Sequence, residues 1–332
     1  MAARAPAFWQ RRGPVAQLLF PLSVLFGMLV SRRRARLRPQ RLPVPVIVVG
    51  NIAVGGSGKT PVVDWLVGVL RAAGWRPGII SRGHGGRVAG CAFVPADGAP
   101  ADYGDEPVLL ARITACPLVV GRDRPEAARE LLRRHPSCDV IIADDGMQHY
   151  RLGRALEIAV VDEATLGNHW LLPAGPLREP LGRLAEVDLV IAHGALSPST
   201  RAATAKVPVF DMRLEGSLLR AVGDPARTRP LGDFRGQRVH AVAGIGRPER
   251  FFAQLEAAGI EVVPHAFGDH HAFAAADLAF GDALPILMTA KDAVKCAAFA
   301  PADCWEFPVR ASIGTGAAER ILEKLEDGRT TA

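Results

Sequence analysis

At 332 residues and 49% hydrophobic, the chain has material for two domains with real cores, which excludes a disordered tail protein. Its net charge of +6 is gathered into Arg32, Arg33, Arg34, Arg36, Arg38 and Arg41 behind an apolar run, without interleaved aromatics to stack bases, so nucleic-acid binding is not expected. Five cysteines, with no C-x-x-C pair and no histidine at zinc spacing, read as buried reduced thiols rather than disulfides or a metal cluster.

The first predicted element is the uncharged run 13–31, rich in Leu, Val, Phe and Met and near the lower length limit for crossing a bilayer. A dense arginine block follows it where a signal peptide would carry a small-residue cleavage site, which argues against export. Those arginines fit the positive-inside rule and would attract anionic lipid. Pro21 and Gly27 interrupt the run, so a membrane anchor and a helix lying in the membrane plane both stay open, with a buried core helix as the remaining alternative.

Apolar runs then recur at 44–49, 77–81, 117–120, 139–143, 158–161 and 187–192, bounded by Gly, Pro or Asp and alternating with helix candidates such as 61–73 and 125–134. Runs rich in Val and Ile without polar alternation suit strands buried on both faces of a parallel sheet. The expected fold class is α/β: a P-loop NTPase-like, doubly wound, mostly parallel sheet with an N-terminal membrane-associated helix and a second, smaller α/β domain. The bounds read as 1–42 for the helix and its Arg-rich flank, 43–196 for the nucleotide-binding domain, 197–230 for a linker with a possible strand pair, and 231–332 for the smaller domain.

The run at 44–49 flows into Gly50-Asn51-Ile52-Ala53-Val54-Gly55-Gly56-Ser57-Gly58-Lys59-Thr60-Pro61. In such a loop Gly55, Gly56, Ser57 and Gly58 let backbone N–H groups close around a polyphosphate, Lys59 meets the β/γ-phosphates, and the Thr60 hydroxyl can ligate Mg²⁺. The strict pattern would place glycine at Ala53, so the strand before the loop carries much of the weight. ATP and Mg²⁺ are the expected cofactors.

The run at 139–143 ends in Asp144-Asp145-Gly146, at the strand end where a nucleotide-binding sheet keeps the carboxylate that holds Mg²⁺. One aspartate can take the metal while the other orients Lys59 or a substrate hydroxyl. Gly104-Asp105-Glu106-Pro107 precedes a predicted helix at 108–113, and acid there reads by itself as a cap. Far along the chain, Asp269-His270-His271 falls in the smaller domain. If the domains close over a cleft, His270 could pair with Asp105 and hold it as a base, although an exposed histidine pair is the plainer reading. Arg82, Arg122 and Arg178 each sit in a turn near a predicted strand, where a guanidinium can bind phosphate; for any one of them a solvated arginine is the alternative.

Taken in order, these motifs resemble the tetraacyldisaccharide 4′-kinases of lipid A biosynthesis over nearly the whole chain. The likeness also draws on Ser81-Arg82-Gly83, Gln148 with His149, Gly175-Pro176-Leu177-Arg178-Glu179-Pro180, Gly244-Ile245-Gly246, and Thr289 with Lys291-Asp292. It implies an enzyme at the cytoplasmic face of the bacterial inner membrane that moves the γ-phosphate of ATP to the 4′-hydroxyl of tetraacyldisaccharide 1-phosphate, giving lipid IVA. Carried over residue by residue, it implies that Lys59 and Thr60 bind phosphate and Mg²⁺, with Asp144 and Asp145 completing the metal site. Asp105 becomes the catalytic base and His270 its partner, while Arg82, Glu106, Arg122, Gln148, His149, Arg178 and Glu179 line the cleft. The implied partners are the lipid substrate and an anionic membrane surface, with no obligatory protein partner.

Two positions depart from the family pattern: His84 stands where Tyr is usual, and Ala290 where an acidic residue is common. The rival reading is a P-loop ATPase switch of the metallochaperone or partitioning type, whose loop commonly carries a second Lys where Val54 stands. A lipid-binding regulator with a vestigial nucleotide site is a third, opposed by the intact Lys59, Thr60, Asp144 and Asp145.

Overall fold

A computed structural model describes residues 5–330. Residues 1–4 and 331–332, the ends of the first and last expected segments, lie outside the described residues. The larger sheet begins with β1 (Val46–Gly50), β2 (Pro77–Ser81), β3 (Ala92–Phe93), β4 (Leu118–Val120), β5 (Val140–Asp144), β6 (Leu156–Val161), β7 (Leu189–His193) and β8 (Val209–Glu215). A smaller sheet takes β9 (Leu218–Ala221), β10 (Thr228–Pro230), β11 (Arg238–Ala243), β12 (Glu261–Ala266), β13 (Ile286–Thr289) and β14 (Cys304–Phe307), after which β15 (Arg310–Ile313) returns to the first. The helices are α1 (Pro14–Arg36), α2 (Lys59–Ala72), α3 (Pro100–Tyr103), α4 (Asp105–Thr114), α5 (Arg124–Arg134), α6 (Glu163–Leu166), α7 (Pro198–Ala203), α8 (Pro248–Ala257), α9 (Ala290–Cys296) and α10 (Ala317–Thr330).

The nine-stranded sheet has the order β15-β8-β7-β6-β1-β5-β2-β4-β3 and is parallel except at its two edges, where β15 and β3 run antiparallel. Its central strands are buried along their whole length, as the apolar runs of β1 and β5 require, and the one charged residue within β6, Glu157, is paired with Arg154 and Arg183. Ile47 and Val49 face α2, whose Val62, Val63, Leu66, Val67 and Leu70 share one core with them. Val46 and Val48 belong to the opposite layer with Ala127, Ala128 and Leu131 of α5. Truncating the fully buried Leu66 to Ala would cost about 2–5 kcal/mol. Since β1 lies between β5 and β6 and the chain winds outward on both sides of it, the crevice falls at the carboxyl ends of these strands.

The structure divides the chain differently from the bounds given above. The stretch expected to form a linker with a strand pair splits instead: β8 pairs with β7 and β15, whereas β9 joins β14 and β10 in the second sheet. Nor does the smaller domain run to the end of the chain, because β15 completes the first sheet and Ile321 and Leu325 of α10 bury in that sheet's core. The polypeptide therefore crosses between the two bodies twice, at 216–217 and 308–309.

Helix α1 is long and apolar enough to cross a membrane, yet it is not a core helix. It touches the protein along a narrow seam. The Ser23 hydroxyl donates to the Leu171 carbonyl (2.8 Å) and accepts from the Ala174 N–H (3.0 Å), and at Gly27 a Cβ would lie 2.8 Å from the Leu171 side chain. Leu18, Leu22, Leu25, Met28 and Leu29 are left exposed.

Candidate active site

The glycine loop leaves β1 and enters α2 through Gly58, whose φ of +87° is the left-handed turn that glycine adopts freely. Gly55 has φ +114°, and a Cβ on Gly55 or Gly56 would meet nothing within 4 Å, so both bound open space that a side chain would invade. Asn51 fixes the loop from below, its amide donating to the Ser57 hydroxyl (3.2 Å) and the Gly55 carbonyl (3.4 Å). The loop is also pinned laterally by Val54 N–H to the Pro176 carbonyl (2.9 Å). Lys59 and Thr60 open α2, where the helix dipole and free N–H groups favour phosphate.

At the end of β5 the two aspartates part company. Asp144 is buried and accepts from the Ser81 hydroxyl (2.9 Å), while Asp145, with φ +48°, turns toward Lys59 (3.3 Å) and Arg178 (3.0 Å). Burial, together with repulsion from Glu106 and Asp145, pushes the Asp144 carboxyl up to about 7. For Asp145 burial works in the same direction, but Lys59 and Arg178 override it and hold the carboxyl well below the usual range. Asp145 Oδ1 has the Lys59 ammonium nearby but no aligned hydrogen-bond donor. Asp144, buried without a cationic partner of its own among the described residues and raised by that burial and its carboxylate neighbours, stands beside Asp145 and, with the Thr60 side chain on the cleft wall, fits a Mg²⁺ site of the kind that takes one or two carboxylates and completes its shell with phosphate and water.

Asp105 is placed by Gly104. That residue has φ +92°, and a Cβ there would lie 2.4 Å from the His84 carbonyl, so only glycine lets the chain after β2 pack against the start of α4. Asp105 then sits buried in the first turn, and His270 reaches it from the second domain, with Nδ1 at 2.9 and 3.0 Å from the two carboxylate oxygens. Burial opposes its charge, yet the His270 hydrogen bond and Lys291 lower the carboxyl to about 2. The same bond raises His270 above its ordinary value. His84 lies edge-on to the His270 ring, centroids 5.4 Å apart, at the position where the family usually has Tyr.

The two domains enclose a cleft of about 650 Å³ between Lys59, Thr60 and Glu106 on one side and Gly246, Asp269 and Lys291 on the other. Asp292 shapes the far wall: its carboxylate accepts from the Gly244 N–H (2.8 Å) and the Thr289 hydroxyl (2.6 Å), which brings Gly246 close to the Gly56 amide. Neighbouring Lys291 crosses to Glu106 (2.9 Å) and Asp105 (3.9 Å) and also meets Asp269 (3.2 Å) of its own domain.

Residues 15–326 match the family described as tetraacyldisaccharide-1-P 4′-kinase. The chain belongs to that family. A tetraacyldisaccharide 4′-kinase from Aromatoleum aromaticum is 64% identical over the full length of both chains. One from an Azoarcus species is 65% identical, covering 99% of this chain and 97% of its own. Among solved structures, LpxK from Aquifex aeolicus in complex with ATP superposes with a TM-score of 0.78 at 27% identity, covering 94% of this chain and 99% of that one.

Against this family pattern, Lys59, Thr60 and Glu106 line the cleft, Asp145 and Arg178 join it through Lys59 with Asp144 alongside, and Asp105 and His270 join it through Lys291; the rest are sorted differently. Gln148 lies beside Arg178 and donates to the Asn51 carbonyl (2.9 Å) and to Glu179 (2.6 Å). Glu179, expected to line the cleft, is 1% exposed and lies beneath it, tied to Gln148, Tyr150 and Arg183. His149 is half-buried, and burial with the nearby charges of Arg124 and Arg82 lowers it to about 4, so it is neutral. Arg82 and Arg122 are exposed at the carboxyl edge of the sheet. It is Arg124, two residues beyond Arg122, that is buried, donating to the Gly121 carbonyl (2.6 Å) and the Asp144 carbonyl (3.3 Å).

Sequence reasoning noted the Thr289-to-Asp292 motif but missed Lys291 as a site residue. A lysine in the first turn of α9 opposes the helix dipole, and that local conflict was the available signal. It also missed Asp162, which caps α6 and holds Arg250 (2.5 and 2.9 Å) and Arg247 (3.3 Å) from the second domain.

Proposed function

We propose that this chain transfers the γ-phosphoryl group of ATP to the 4′-hydroxyl of a membrane-embedded tetraacyldisaccharide 1-phosphate, yielding a lipid phosphorylated at both ends, lipid IVA. The observation that carries the reading is an interdomain cleft lined by the phosphate loop, Glu106 and Lys291, with Lys291 reaching 3.9 Å from a buried carboxylate already paired to a histidine from the other domain. Family membership over residues 15–326 supports the substrate.

In this mechanism the loop amides and Lys59 hold the β- and γ-phosphates, and Arg178 stands by Asp145 to meet charge that develops during transfer. Asp144, Asp145 and Thr60 would hold Mg²⁺, which supplies charge neutralisation at the phosphates when bound. The sugar hydroxyl attacks in line and Asp105 accepts its proton. A carboxyl lowered to about 2 is a weak base in the resting cleft. It suffices here because a loose transition state asks for little proton movement until the new oxygen–phosphorus bond forms. His270 holds the carboxylate in orientation through its Nδ1 contact.

Membrane association follows from the exposed apolar face of α1 and the arginines behind it. An acceptor with four acyl chains stays in the bilayer, so docking at the cytoplasmic face of the inner membrane would hold the cleft at headgroup level. The roles assigned to Lys59 and Asp105 are separable. Lys59→Ala should abolish both ATP binding and transfer, whereas Asp105→Asn should abolish transfer while ATP binding, measured by calorimetry, persists. Equal loss of ATP binding in both would take Asp105 out of the base role.

A further inference from the structure

Tyr150 follows the Asp144-to-His149 segment, half-buried, and no function has yet been given to it. Its hydroxyl donates to Glu179 Oε2 in a short hydrogen bond. The other oxygen of that carboxylate accepts from Gln148 Nε2 at 2.6 Å, and the same Nε2 donates to the carbonyl of Asn51, which opens the glycine loop. With its nitrogen committed to two acceptors, the Gln148 amide must turn Oε1 toward Arg178 Nη1, 3.4 Å away. Arg178 Nη1 in turn donates to Asp145 Oδ2 (3.0 Å), whose other oxygen faces Lys59 (3.3 Å).

We propose that Tyr150 is a positioning residue for phosphoryl transfer: by fixing Glu179 it sets the rotamer of Gln148 and, through it, the guanidinium of Arg178 at the phosphate site. The proposal rests on the kinase reading given above. Two further observations bear on it. The phenol stays protonated, since burial and the Glu179 carboxylate both raise it above its ordinary value, so the hydroxyl remains a donor throughout the working range. The ring itself is held from α1 and from the strand side, under the guanidinia of Arg34 (5.4 Å) and Arg154 (5.9 Å), so that the hydroxyl is aimed by two cations and not by Glu179 alone. Charge balance in the buried network does not need this hydroxyl, because Arg183 pairs with both Glu157 and Glu179 and Arg154 also pairs with Glu157. The directional bond to Glu179 is what Tyr150 adds.

Tyr150→Phe keeps the ring and removes the donor. With γ-labelled ATP and tetraacyldisaccharide 1-phosphate in mixed micelles, kcat should fall about tenfold, the scale for a group acting through another side chain, while KM for ATP stays within about twofold. Gln148→Leu should slow transfer by itself, and the double variant should be no slower than Gln148→Leu, because both lie on one route. A structural role alone would lower the thermal midpoint of Tyr150→Phe and leave its kcat at a well-folded temperature unchanged, which would overturn the proposal. Multiplicative losses in the double variant would overturn it too. An active wild type beside an unimpaired Tyr150→Phe defeats the proposal alone; a wild type that transfers no label defeats the kinase reading and this inference with it.

Discussion

Lys291→Met removes one ammonium and keeps a side chain of similar length. In the closed cleft that ammonium lies 2.9 Å from Glu106, 3.2 Å from Asp269 and 3.9 Å from Asp105, on a side chain 16% exposed. Three carboxylates, two on the first domain and one on the second, would then face each other without their shared counter-charge. Removing one partner of a buried ion pair costs about 3–5 kcal/mol, and the partial exposure of this one argues for the lower end. Because the cost falls across the domain boundary, it should appear as loosened closure, with a thermal midpoint lower by roughly 5 °C if the chain unfolds as one unit. Asp105 would also lose one of the groups that, after the His270 hydrogen bond, hold its carboxyl down, and its place beside His270. Calorimetry and steady-state transfer on the same preparation give both readouts, with kcat expected to fall at least about tenfold from lost alignment. A variant within about 1 °C and about twofold of wild type would refute the view that this cluster latches the catalytic arrangement.

Other expectations follow from individual residues. Gly104→Ala should destabilise by at least about 2 kcal/mol and slow transfer, since it combines a positive φ with a Cβ 2.4 Å from the His84 carbonyl; an unchanged melting curve would contradict the packing argument. The Asp105–His270 pair gives a signed pH dependence, read as the difference in thermal midpoint between wild type and His270→Gln. The share due to Asp105, on the order of 2 kcal/mol, is present above its unfolded value near 3.8 and lost as pH falls toward about 2. The share due to His270, raised when folded, is present below about 6.5 and lost as pH rises through its folded value. The difference should therefore peak between these limits; a difference that grows toward pH 9 would reverse the assignment. Lysine at the exposed positions Leu22, Leu25 and Leu29 should release the protein from membranes while sparing transfer to a detergent-dispersed acceptor, at about 2.5–3.5 kcal/mol for each lysine placed in the hydrocarbon. Undiminished membrane recovery would assign docking to another surface.

What could be read from the sequence was whatever is encoded locally. β1, β2, β5 and α2 declare themselves because strands buried on both faces need short apolar runs bounded by turn residues, and because the glycine loop needs its residues in series. The domain bounds were not legible. β15 is a four-residue edge strand with alternating exposure, and its partner β8 lies almost a hundred residues earlier, so no local pattern marks its return to the first sheet. The family resemblance implied Glu179 as a cleft residue beside Arg178. Only the fold shows that Arg183, Tyr150 and Gln148 converge on it and draw it under the site. The pairing of Asp105 with His270 could be posed from sequence as a consequence of domain closure. The glycine at 104, which packs against the His84 carbonyl, and the lysine at 291, which crosses the cleft to Glu106, enforce it through contacts that no spacing reveals.

The account stands or falls on transfer to lipid. Purified protein should be incubated with Mg²⁺ and γ-labelled ATP, with and without tetraacyldisaccharide 1-phosphate in mixed micelles, and the lipid products separated. Label in a bisphosphorylated lipid, absent with Lys59→Ala, is the predicted result. Release of labelled phosphate at a rate indifferent to the lipid, with no labelled lipid formed, would contradict it and would favour an ATPase switch.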